Sequence, residues 1–155
     1  MLRRSLLALS LIVLASPLLS QTAAPPDLSG TWVFNAAKSK LAKTVVLQSE
    51  TLVIKCAGNS IHVAIAWDGK ESTEMYVVDG KEHTDLNVQG GGQLYSKAQW
   101  KKSTLITETG GRVRGIDGGD FEIMHDKVQW TLSADGRTLT REFDDPKQTF
   151  VYDKQ

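Results

Sequence analysis

Between Asp27 and Asp145 the chain contains no proline, and all 13 of its glycines lie at or beyond Gly30. Proline cannot donate a ladder hydrogen bond, and glycine supplies the positive φ that tight hairpins need. A long segment free of the first and punctuated by the second is built for continuous strand pairing. The turn signals are Gly58-Asn59, Asp68-Gly69, Asp79-Gly80, Gly90-Gly91-Gly92, Gly110-Gly111, Gly118-Gly119 and Asp135-Gly136, with Lys101-Lys102-Ser103 as a further turn. Many recur at roughly ten-residue intervals, which suits sequential hairpins rather than crossover helices.

Between the turns, apolar and polar residues alternate. Ile61, Val63, Ile65 and Trp67 share one face, with His62, Ala64 and Ala66 opposite. Leu94, Ser96, Ala98 and Trp100 form a second such row, Val128, Trp130 and Leu132 a third, and Leu139, Arg141 and Phe143 a fourth. A period of two with one polar face is the pattern of a half-buried antiparallel strand. Nine or ten strands are expected, at 30–36, 44–48, 51–57, 60–68, 71–78, 93–100, 103–109, 120–132, 137–144 and 147–153. The length of the 120–132 stretch calls for a bend or a bulge. Closing such a meander removes its two exposed edges. The expected fold is therefore all-β, an antiparallel up-and-down β-barrel of 8–10 strands, and a sandwich is the rival.

The first 23 residues stand apart. Arg3 and Arg4 precede the apolar run Leu6–Ala15, and a small-residue zone follows, which is the three-part pattern of a cleaved secretory signal. Residues 24–28 then read as a short linker and 29–155 as the barrel domain, exported to the periplasm or secreted. Removing the signal takes two arginines and no acids, leaving 16 basic against 18 acidic side chains. That balance argues against a nucleic-acid partner and against docking on anionic lipid. The outward faces carry too many charges for stable insertion as a membrane barrel. Cys56 is the sole cysteine, so no disulfide forms within the chain; its parity with Leu52 and Ile54 reads as burial.

Two segments carry a resemblance. Leu28-Ser29-Gly30-Thr31-Trp32 with Lys38-Ser39-Lys40-Leu41, and Trp130 to Thr140 followed by Phe150-Val151-Tyr152-Asp153-Lys154, resemble a group of exported bacterial lipocalin-like proteins of unknown function. In that calycin-like superfamily a first-strand tryptophan closes the barrel base and a basic side chain from a late strand packs across it. The resemblance thus implies Gly30 and Trp32 as base elements, with Arg141 as the basic partner.

No catalytic arrangement is legible. His62, His83 and His125 are not paired at metal-ligand spacing, no Gly-x-Ser-x-Gly elbow occurs, and the triple glycine lacks the Lys-Ser/Thr of a phosphate loop. The protein is expected to be no enzyme and to use no cofactor or metal. Its interior is the expected site for a small, partly apolar ligand. Trp67, Trp100 and Trp130 would supply walls, and Arg141, Tyr152 and His62 polar anchors; an inward Arg with a Tyr suits a carboxylate. The alternative is a plugged barrel acting as a protein-interaction or inhibitor module through its 81–92 and 110–120 loops.

Overall fold

The computed structural model describes residues 24–85, 92–114 and 120–155. The expected signal, and residues 86–91 and 115–119 of the loops expected at 81–92 and 110–120, lie outside the described residues. Ten strands follow in order: β1 Gly30–Phe34, β2 Glu50–Ala57, β3 Ser60–Trp67, β4 Lys70–Val77, β5 Glu82–Asp85, β6 Gly92–Lys101, β7 Thr104–Arg114, β8 Asp120–Leu132, β9 Thr138–Phe143 and β10 Gln148–Lys154. They form one antiparallel sheet ordered β4-β3-β2-β1-β10-β9-β8-β7-β6-β5. No helix occurs among the described residues, so none there is long and apolar enough to cross a membrane.

The sheet curls into a nearly closed barrel. The first and last strands pair at its centre, with Trp32 opposite Lys154 and Phe34 opposite Tyr152. The seam is stitched at one place, where the residues after β4 meet β6, the neighbour of the outermost β5. Val78 bridges Ala98, and the Gly80 N–H donates to the Ala98 carbonyl at 2.9 Å. Above that stitch β4 and β5 remain edges.

The hairpins follow from local chemistry. At the β3–β4 turn Asp68 and Gly69 both have positive φ, 43° and 81°, the combination a two-residue hairpin loop requires. The Asp68 carboxylate accepts from the Ser49 N–H at 2.9 Å and the Gln48 N–H at 3.2 Å, and these bonds hold its pKa below the usual range. Between β7 and β8 the pairing slips at Gly111 and Arg112 of β7, whose partners on β8 are Met124 and Glu122. Ile123 is the extra residue of that bulge.

Three expectations need correction. Residues 44–48 are not a strand, because β1 already has β2 on one side and β10 on the other. The segment instead drapes over the core, with Val45 and Leu47 packed down and Val46 83 % exposed. Strand β5 was not anticipated, since Glu82-His83-Thr84-Asp85 has no apolar row; it is held by pairing to β6 alone. On β6, Leu94 is 43 % exposed although it shares parity with buried Ala98, while Tyr95 is buried from the opposite face. Tyr95 lies over its cross-strand neighbour Gly110, where a Cβ would overlap the phenol ring, and its hydroxyl reaches His125 Nδ1 at 2.9 Å. The Arg112 guanidinium stacks on that ring at 4.2 Å from its centroid and forks onto Glu82 at 2.7 and 3.0 Å.

Candidate functional site

The base end is plugged. Trp32 is fully buried, and its indole N–H donates to the Leu28 carbonyl at 2.9 Å. Lys154 Nζ lies 5.1 Å from the ring centroid, so the basic side chain across Trp32 is Lys154 and not the expected Arg141. Gly30 makes the approach feasible. It adopts φ 142°, and a Cβ there would come within 2.8 Å of Lys154 Cε. Around the plug and above it, Leu52, Ile54, Leu139 and Tyr152 fill the lower barrel at 2 % exposure or less.

Arg141 sits a storey higher. β9 pairs it with Trp130 on one side and β10 pairs it with Phe150 on the other. Its guanidinium lies 4.4 Å over the Trp130 ring and 5.2 Å from the Phe143 ring centroid. Trp130 itself spends its indole N–H on Thr107 Oγ1 at 2.9 Å and is 1 % exposed, which makes it a wall with no polar tip to offer. Arg141 Nη1 donates to Glu50 Oε1 at 3.2 Å and to the Tyr152 hydroxyl at 3.3 Å, and the Tyr152 hydroxyl donates to the same Glu50 oxygen. Arg141 Nε is buried with no partner among the described residues. Burial alone would lower the guanidinium pKa; Tyr152, Glu50 and Glu74 outweigh it and raise the value. Burial, with Glu50 beside it, pushes the Tyr152 phenol upward, and burial with Glu74 does the same to Tyr76, whose hydroxyl donates to Glu74 Oε2 at 2.6 Å.

Over this polar floor opens a pocket of about 260 Å³, lined among others by Glu50, Glu74, Arg141, Trp67, Phe143 and Phe150. Phe143 and Phe150 pack at 5.0 Å between ring centroids, and Phe34 meets Phe150 edge-on at 5.7 Å.

Of the residues expected to bind a ligand, Arg141 and Trp67 line this pocket, with Tyr152 and Trp130 packed against Arg141 from below. Two do not join them. Trp100 is half-buried at the base end, beside Pro25, Pro26 and Cys56 along a separate cleft of about 400 Å³. His62 is exposed on the outer face between Lys55 and Met75, because it alternates with the inward Ile61 and Val63. Glu50 and Glu74 are the participants that reasoning from sequence passed over. The signal was present for Glu50, which shares parity with buried Leu52 and Ile54. His83 pairs with Asp79 at 3.1 Å on the surface, and no group of three metal-ligating side chains converges among the described residues.

No protein-family profile matches the chain, and no curated protein matches it. Solved structures do. Human cRBP IV superposes with a TM-score of 0.59 at 18 % identity, covering 84 % of this chain and 100 % of that one. The REP1-NXSQ fatty acid transporter superposes with a TM-score of 0.57 at 14 % identity, covering 83 % of this chain and 96 % of that one. Likeness at such identities speaks for the fold. Together with the ten-stranded meander, it makes this chain a small β-barrel of lipocalin-like fold.

Proposed function

We propose that the protein is an exported, non-catalytic carrier that binds a small, partly apolar molecule at the open end of its barrel. The carrying observation is the pocket above Arg141, where apolar walls from Trp67, Phe143 and Phe150 converge on a buried polar floor. Ligand sites combine apolar walls with a few fixed polar groups in this way. The packed lower barrel leaves the ligand no deeper seat, so it binds at the mouth. The names of the similar barrels, one a fatty acid transporter, favour the same reading. Export rests on the basic, apolar and small-residue pattern of residues 1–23.

Native mass spectrometry of protein purified from its exporting host tests this. The expected spectrum carries a retained small molecule that is lost in Trp67→Ala, and the mature chain begins near Ala24. Apo protein alone, in the face of a folded barrel, would favour the second reading, a plugged barrel that binds another protein. One observation supports that alternative: Val53 at 39 % exposure, opposite the small Ala64, and Met75 at 59 % line one shallow depression on the outer face.

A further inference from the structure

We infer that the polar end of the ligand is a protonated amine, not a carboxylate; the inference rests on the barrel-mouth reading above. The pocket holds two acidic side chains, Glu50 and Glu74, and one basic one, Arg141. Arg141 is already paired with Glu50 through Nη1; its Nε–H has no partner among the described residues, but an anion drawn to it would meet two acids for one base. The acceptors, in contrast, are incompletely used. Glu50 places both of its bonds on Oε1, and Glu74 accepts from Tyr76 through Oε2. Among the described residues no donor reaches Glu50 Oε2 or Glu74 Oε1, although the Glu50 side chain is only 9 % exposed.

An ammonium group supplies what is missing. It offers up to three N–H donors and a positive charge, and it stays protonated at neutral pH as a lysine amine does. The aromatic rings of Trp67, Phe143 and Phe150 add favourable faces for a cation and bury its apolar body. A hydroxyl can donate only once, and it leaves the surplus acid uncompensated. The volume of about 260 Å³ suits a short chain or a single ring system.

Octylamine, octanol and octanoate share one apolar chain and differ in the polar end, so isothermal titration of each into the full mature protein at pH 7 separates the cases. The expected result is octylamine binding at least about tenfold tighter than octanoate and octanol, with that margin falling to within about threefold in Glu74→Gln. Octanoate or octanol binding as tightly as the amine would overturn the inference and leave the barrel-mouth reading standing. An amine preference unchanged in Glu74→Gln would remove the preference from this pocket and overturn the assignment. Failure of all three to bind would overturn both the inference and the reading beneath it.

Discussion

Arg141 occupies a position where a guanidinium is hard to keep. It is 6 % exposed, flanked by rings, and balanced by one carboxyl group and one phenol. Breaking a buried pair by removing one partner costs far more than replacing both with apolar groups. Glu50→Ala should therefore lose about 3–5 kcal/mol in urea unfolding, while the double variant Glu50→Leu/Arg141→Met should lose less than either single change. A double variant as damaged as the sum of the two singles would show that the residues act independently. The inward aim of Arg141 was legible, because it lies between Leu139 and Phe143 at a period of two. Its partners were not. Glu50 is 91 residues away, and only the sheet order brings β2 and β9 to the same height across the barrel. The same gap in information misplaced Arg141 over Trp32. Parity reports the face of a strand and says nothing about the storey, and at the storey of Trp32 the basic residue is Lys154.

At the scale of the element, β6, β7 and β8 depend on a cross-strand device on the outer face. Tyr95 crosses the bare backbone of Gly110 to reach His125, and Arg112 covers the ring. A side chain at residue 110 would displace the phenol. Gly110→Ala should cost about 1–3 kcal/mol of stability, and much of that loss should disappear in the background Tyr95→Ala, as a double-mutant cycle in urea would read. Additive losses would mean the ring and the glycine are not coupled. The strands with clean alternation, such as β3 and β9, could be read directly from the sequence. Residues 44–48 had strand composition without a free neighbour, and β5 has a neighbour without strand composition. Both errors have one cause: a strand is defined by what it pairs with, and local propensity is only half of that condition.

For the whole molecule, pH reports on the integrity of the barrel. Of the three tyrosines, Tyr76 and Tyr152 have folded pKa values raised by burial above the unfolded value of about 10. A raised phenol pKa contributes stability that is fully present below the unfolded value and is lost as pH climbs past it. Stability should thus hold to about pH 10 and fall steadily beyond it. Absorbance at the tyrosinate band should rise for two of the three tyrosines only as the near-ultraviolet circular dichroism collapses. Ionisation of all three while that signal persists would show that Tyr76 and Tyr152 are not sealed in the core.

The first and last strands lie side by side in the middle of the sheet, where β1 meets β10 and the Gln155 N–H donates to the Thr31 carbonyl at 3.0 Å. That adjacency sets the timetable of assembly. Four strands can accumulate on one flank and five on the other, yet the flanks share no continuous ladder until the last strand arrives between them. Contacts of maximal sequence separation close late, because their loop entropy must be met before they reward it. Residues 148–154 act as a keystone: a polypeptide emerging from its amino end holds two unfinished half-sheets, and they join in one ladder only when this last strand is free.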